Sequence, residues 1–362
     1  MGKHKVLFVH KFFTVGGGVE RVHKNLSVAL GEAGVDSIFY VHDKTGESAE
    51  GFARLQQDYS AFAADDSTSL TGKLRYLFSL IKRKEINVLI AATETANMLA
   101  LLCKIRYPAL SVVYTRHCAF DVSDQKLPPW AIKSLYAMYS ITNGKIVAVS
   151  EALKKQIQNT LLFGKSKVKF IPNAVLQPAI LELANKAPEV ELPERYFCSV
   201  GRLVEQKGFD LLLQAYAKAY SYDNSLPELV IVGAGEDLDK LKSHASQLGI
   251  QQRVHFTGFT TNPYSIIQAA DAFILSSRHE GMPTVLVEAM YLNTPVIAFD
   301  CPTGPSELIT PNETGILVKA LDTDDLATAM QNYSVLKAKP LADSVKHFSY
   351  ENVATAYISQ FG

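Results

Sequence analysis

Short β-branched runs alternate with longer amphipathic stretches along almost the whole chain, and this limits the fold to the α/β class. Residues 6–10, 37–41, 87–92, 111–115, 145–149 and 168–171 read as strands. Residues 20–31 read as a helix, with Val22, Leu26 and Ala29 at helical spacing and Gly31 closing it. Strands separated by helices pair in parallel through crossovers, which makes βαβ units. Residues 177–194, with Pro178, Pro188, Pro193 and several glutamates, read as a linker. The series then restarts, with strands at 196–200, 229–232, 254–257, 272–275 and 295–299 and a helix over 209–220. A chain of 362 residues at about 150 per domain makes two domains. The expected architecture is two Rossmann-like domains facing each other across a cleft. The first covers 1–175 and the second 176–345, and a terminal helix within 346–362 packs back on the first.

Hydrophobic residues at 48% and charged residues at 20% exclude a disordered, collagen-like or coiled-coil chain. No apolar run approaches the roughly 18 residues of a spanning helix. The apolar run at 6–9 is too short for a signal-peptide core, and Val6 breaks the myristoylation pattern begun by Met1-Gly2. Cys103, Cys118, Cys198 and Cys301 are scattered with no C-x-x-C pair, so neither a zinc cluster nor a disulfide framework is indicated. A reducing, cytoplasmic compartment is expected. The net charge of zero hides an asymmetry. Residues 1–173 carry 23 Lys/Arg against 14 Asp/Glu, and residues 174–362 carry 13 against 22. An anionic partner is expected for the first half only. At this point nucleic acid, membrane phospholipid and phosphorylated metabolites all fit.

Open α/β sheets bind ligands beyond the carboxyl ends of their strands, so the residues that follow each strand carry the chemistry. Gly16-Gly17-Gly18-Val19-Glu20 lies between the first strand and its helix. Glycines there let backbone N–H groups approach a phosphate; the plainer alternative is a flexible turn. It is not G-x-G-x-x-G, which argues against a dinucleotide. Arg202 and Lys207 flank the turn of Gly201–Gly208 directly after a strand, as two cations for one diphosphate or as two solvated surface charges. Glu280-Gly281-Met282-Pro283-Thr284 opens a helix, with Pro283 suited to its first turn and Glu288 about a turn inside. The N–H groups of Met282, Thr284 and Val285 then face the cleft and attract an anion, while the two carboxylates can accept sugar hydroxyls. Solvated acids on a capped helix are the alternative. Gly233-Ala-Gly235-Glu236 has Leu238 where a dinucleotide loop needs a third glycine. Asp237-Leu-Asp239 and Asp322-Thr-Asp324 read as helix starts, not D-x-D metal sites.

Taken together, these segments resemble the family-4 glycosyltransferases, retaining enzymes of the GT-B fold. The resemblance is strongest from Val200 to Ile309, where Glu280 and Glu288 match the family's E-x7-E signature with the Glu-Gly-x-Pro core intact. The first half matches through the glycine loop with Glu20-Arg21 and through Val147-Ala-Val-Ser150. Pro302-Thr-Gly-Pro-Ser-Glu307 departs from the usual Gly-Gly form of the next loop. The resemblance implies roles. Arg202 and Lys207 neutralise the donor diphosphate, and Gly17 and Gly18 let the first loop close on its β-phosphate. Glu288 binds the nucleotide ribose. Glu280 contacts the transferred sugar, assisted by backbone groups of Gly281, Met282, Pro283, Thr284 and Val285. His117, after the strand 111–115, matches a cleft histidine beside the sugar; on residues alone a histidine after a strand is more often a satisfied structural residue. His117, Glu280, Arg202 and Lys207 are the expected catalytic set.

The implied reaction moves a hexose or N-acetylhexosamine from a nucleotide sugar to a lipid-linked or lipopolysaccharide-type glycan. The donor is taken as a UDP-sugar, the family's commonest, with no metal, no cofactor and no nucleic-acid partner. Two cations and a helix N-terminus stabilise the leaving diphosphate in place of a metal. The rivals are a GT-B UDP-sugar 2-epimerase and an inactive nucleotide-sugar-binding protein. Residues 71–84, with Leu74, Leu77, Phe78 and Ile81 on one face, and 125–145, with Trp130, read as amphipathic helices. With the basic first half they suggest contact with an anionic membrane, peripheral on the inner face of the plasma membrane. In that reading Lys82-Arg83-Lys84 holds the mouth beside the glycine loop toward lipid.

Overall fold

The computed structural model describes residues 4–66, 68–118, 128–336 and 340–361. They form two compact units, Met1–Val175 with Ser349–Gly362, and Leu176–Phe348. The first unit alternates β1 (Lys5–His10), α1 (Gly18–Glu32), β2 (Asp36–Val41), α2 (Glu47–Asp58), β3 (Ala61–Phe62) and α3 (Leu70–Arg83). It continues through β4 (Val88–Ala92), α4 (Glu94–Arg106), β5 (Ser111–Arg116), α5 (Pro129–Ile141), β6 (Lys145–Ala148), α6 (Glu151–Thr160) and β7 (Val168–Phe170). The second unit holds α7 (Ala179–Ala184), β8 (Tyr196–Val200), α8 (Phe209–Tyr222), β9 (Glu228–Val232), α9 (Leu238–Gln247), β10 (Val254–Gly258) and α10 (Tyr264–Ala269). It ends with β11 (Ala272–Leu275), α11 (Thr284–Tyr291), β12 (Val296–Phe299), α12 (Pro305–Leu308), β13 (Ile316–Val318) and α13 (Thr323–Gln331). A last helix, α14 (Tyr350–Ile358), belongs to the first unit.

The two sheets have seven and six strands, ordered β3-β2-β1-β4-β5-β6-β7 and β10-β9-β8-β11-β12-β13. All pairings are parallel. Helices cover both faces of such a sheet, so its central strands bury every residue, as β4 does from Val88 to Ala92. Local chemistry sets the helix ends. Ser69, Ser150 and Ser349 accept hydrogen bonds from the N–H groups of Gly72, Leu153 and Asn352. Asp322 accepts from Asp324 and Asp325, so that acidic cluster caps α13.

Three expectations change. The stretch 177–194 is not a bare linker, because it contains α7, packed on the second unit through Asn262, whose Nδ2 donates to Leu183 O at 2.9 Å. β3 and β13 are only two and three residues long, too short to show periodicity. Residues 125–127 of the second amphipathic stretch lie outside the described residues, and its helix starts at Pro129.

Candidate active site

In the second unit β8 lies beside β11, although two strands intervene in sequence. Loops leaving neighbouring strands at such a switch point diverge and open a crevice at the carboxyl edge of the sheet. The loop after β8 holds Arg202 and Lys207, and the loop after β11 holds Glu280. Gly201 N donates to Val232 O at 3.0 Å and Leu203 N to Ala234 O at 2.9 Å, so the basic turn rests on the loop after β9. Gly233, at φ +143, permits this, since a Cβ there would stand 1.9 Å from Gly201 O.

The side chains then converge. Lys207 Nζ lies 2.6 Å from Glu280 Oε1, and Ser277 Oγ donates to the same oxygen at 2.6 Å. Ser276 Oγ donates to Lys207 O at 3.0 Å. Arg278 forks onto Asp210 at 2.8 and 2.7 Å and donates to Glu205 O at 2.8 Å. Burial raises the Asp210 carboxyl, but the hydrogen bonds and charge of Arg278 outweigh it and hold the carboxyl below its ordinary value. The basic turn and the acidic loop are thus tied together at both ends. Arg202 is exposed and makes no ion pair among the described residues.

α11 begins at Thr284. Pro283 is therefore the capping residue just outside it (φ −75, ψ 89), not part of the first turn, and its carbonyl accepts from Leu286 and Val287. Gly281, Met282 and Pro283 are buried, Thr284 and Val285 half-buried, and Glu288 is 1% exposed one turn inside. The first N–H groups of a helix have no acceptor within it, so this end favours an anion. The atypical loop after β12 supports the same segment. Thr303 Oγ1 donates to Glu280 O, and Gly304, at φ +103, lies so close to Pro283 that a Cβ would stand 2.5 Å from Pro283 Cδ.

In the first unit, Gly17 caps α1, Gly18 begins it, and Glu20 folds back over the loop. Its Oε1 accepts from Thr14 N and Oγ1, both at 3.2 Å, and a Cβ on Gly17 would stand 1.9 Å from the carboxylate. The space above Gly17 is thus taken by the helix's own acid. His117 follows β5. Thr115 Oγ1 gives its only proton to Ala91 O at 2.7 Å, so at 2.8 Å it accepts from His117 Nε2–H, and Asn173 is a further hydrogen-bonding neighbour of the ring. His10, closing β1, and His23, on α1, meet at 3.0 Å between Nε2 and Nδ1, and the rings of His23 and His117 lie 5.8 Å apart. Burial, with the charge of His117, lowers His10 to about 3. Burial lowers His117 to about 4, and it drives His23 well below its ordinary value.

Lys207 and Glu280 are brought together in the second unit, with Glu288 on the adjoining helix; Gly17, Gly18 and His117 lie at strand ends of the first unit. Sequence reasoning missed Ser277, Arg278 and Thr303; Thr303 sits within a stretch it had singled out, and Ser277 and Arg278 lie just before one. It also missed His10 and His23. A histidine ending a buried strand and another on the apolar face of α1 were the available signals.

Two parallel-sheet α/β units of this kind make the GT-B fold. Residues 16–175 match the model of Glycosyltransferase Family 4, and residues 183–349 match that of Glycosyl transferases group 1. The chain belongs to the family-4 glycosyltransferases. An uncharacterized glycosyltransferase of Haemophilus influenzae is 29% identical, with 87% of this chain and 86% of that protein covered. The lipopolysaccharide core biosynthesis glycosyltransferase LpsE of Rhizobium meliloti is 25% identical, covering 96% and 97%. The structure of Anabaena HepE in complex with UDP shares the fold at a TM-score of 0.77, with 19% identity over 98% of both chains.

Proposed function

We propose that the protein is a retaining, metal-independent transferase that moves a hexose or N-acetylhexosamine from a UDP-sugar to a lipid-linked or lipopolysaccharide-type glycan. The Lys207–Glu280–Ser277 cluster beside the start of α11 carries this reading. Without donor, Lys207 and Glu280 neutralise each other. A diphosphate at the helix start competes for Lys207, with Arg202 as the second cation. The freed Glu280 carboxylate then accepts a hydroxyl of the sugar. Glu288 accepts the ribose hydroxyls, and backbone groups from Gly281 to Val285 complete the cradle. Fixed cations and N–H groups aimed at the leaving diphosphate stabilise the charge that develops as the anomeric bond breaks. The departing phosphate oxygen takes the acceptor's proton on the same face, so no protein nucleophile is needed. The lipopolysaccharide-core role of LpsE and the UDP held by HepE support the choice of acceptor and donor.

Two measurements test it. Transfer should persist in EDTA; complete loss restored by Mn²⁺ refutes the metal-independent mechanism. Glu288→Ala should weaken UDP binding about tenfold or more, the worth of one buried charged hydrogen bond at roughly 1.5–3 kcal/mol. Glu280→Ala should bind UDP almost normally and turn over far more slowly. Equal losses of UDP affinity contradict the division of roles.

A further inference from the structure

In the first unit α3, α4, α5 and α6 each run antiparallel to the strand that follows, so all four C-terminal ends meet the edge of the sheet where β4, β5, β6 and β7 begin. The glycine loop and His117 follow the opposite ends of β1 and β5. Lys82-Arg83-Lys84 therefore does not flank the glycine loop, because a crossover helix returns the chain to the start of the sheet.

This edge has an unusual composition. Residues 82–86, 102–106, 141–145 and 162–169 carry nine Lys/Arg and one carboxylate, Glu85. Glu85 is spent on Lys5 at 2.9 Å. Among these cations stand large apolar side chains left in water, Ile105 at 57%, Ile141 at 78%, Leu162 at 88% and Phe163 at 80% exposure. Leu162 and Phe163 form the tip of the turn after α6. Ser140 Oγ donates to Phe163 O at 3.1 Å and Lys167 Nζ to Ser140 O at 2.6 Å, so the tip is pinned beside Ile141.

We propose that this edge docks on an anionic phospholipid surface, with Leu162, Phe163 and Ile141 entering the headgroup layer and the cations pairing with lipid phosphates. Unopposed positive charge selects an anionic partner. The aliphatic and aromatic tips select a bilayer over nucleic acid, because they have no hydrogen bonds to offer bases or phosphates and gain by leaving water. The proposal rests on the transferase reading only for its purpose. It also adds a requirement on the acceptor, since β1 and β4–β7 separate the docked edge from the strand ends that carry His117 and the glycine loop. A five- or six-residue strand spans about 17–20 Å, so a glycan of several sugars suits this geometry better than a first sugar on lipid diphosphate.

Vesicle co-sedimentation of the whole protein tests the docking without any assay of transfer. Wild type should bind phosphatidylglycerol-containing vesicles at low salt, release in high salt and ignore pure phosphatidylcholine. Changing Lys82, Arg83 and Lys84 to Ser should lower partitioning about 100-fold at about 1 kcal/mol per cation. Leu162→Ser with Phe163→Ser leaves the charge intact and should lower it about tenfold or more. Both variants change exposed residues, and unaltered thermal melting verifies their folding. No binding of wild type to anionic vesicles overturns the proposal. So does full binding by the Leu162/Phe163 variant, or equal displacement from vesicles by RNA and from RNA by vesicles in that variant, which assigns the edge to polyanions generally. UDP binding that survives a failed vesicle result leaves the transferase reading standing.

Discussion

Thr303 holds φ +63, a region where a β-branched side chain is strained by about 1–3 kcal/mol. The family's usual loop places glycine pairs here, and glycine takes that conformation freely. In this chain the strain accompanies a hydrogen bond from the threonine hydroxyl to Glu280 O, which fixes the backbone that carries the acid. Thr303→Gly removes both the strain and the bond, so its melting temperature should stay within a few degrees of wild type. Thr303→Val keeps the strain and leaves the buried Glu280 carbonyl without that donor, which costs about 1–3 kcal/mol. The valine variant should therefore melt clearly below the glycine variant in a calorimetric scan, and identical melting points would refute the account. The same residue explains why a departure from the motif need not disturb Glu280, since the hydroxyl supplies a contact that glycine cannot.

At the scale of elements, α14 shows how a short helix is held by its surroundings. Its nine residues are too few to persist alone. Tyr350, Val353, Ala354 and Tyr357 form its buried face, and with Phe361 they join the core made by β1, α1, α2 and the central strands. Tyr350 Oη also donates to Glu32 Oε1 at 3.1 Å, near the end of α1. Tyr357→Ala empties that contact and should cost about 3–5 kcal/mol. Because α14 belongs to the first unit, the loss should appear in the first unit's unfolding transition and leave that of the second unit nearly unchanged. Equal lowering of both transitions in a calorimetric scan would contradict that assignment. The spacing of Tyr350, Val353, Ala354 and Tyr357 marks a helical stripe in the sequence, whereas the surface it covers, on α1, lies more than 300 residues away and leaves no local trace.

Across the whole molecule, three buried imidazoles contribute to how stability responds to acid. In the unfolded chain they take up protons below about pH 6.5. In the fold His10 is lowered to about 3 and His117 to about 4, with His23 also lowered, so between about pH 6.5 and 4 the unfolded state binds more protons. Their contribution is complete above pH 6.5 and is lost as pH falls through that window. Unfolding free energies from denaturant curves at pH 7 and pH 5 should differ by roughly 1–2 kcal/mol for each fully buried imidazole, with the midpoint lower at pH 5. A midpoint unchanged between those pH values would falsify the neutral assignment. The alternation of strands and helices was legible from residue order because a parallel sheet covered on both faces demands continuous β-branched runs. The site loops were legible for the same reason, since ligands gather where such strands end. The sequence by itself therefore determined the two α/β units, the loops that carry Lys207, Glu280 and His117, and the basic bias of the first half. Only the tertiary structure decided which side chains meet. Lys207 finds Glu280 across 73 residues because β8 lies beside β11. His10, His23 and His117 gather from β1, α1 and the end of β5, and four helix ends line one edge of the first sheet. Periodicity records which residues face inward, but the order of strands in a sheet is a property of packing among distant segments, and that order chooses the partners.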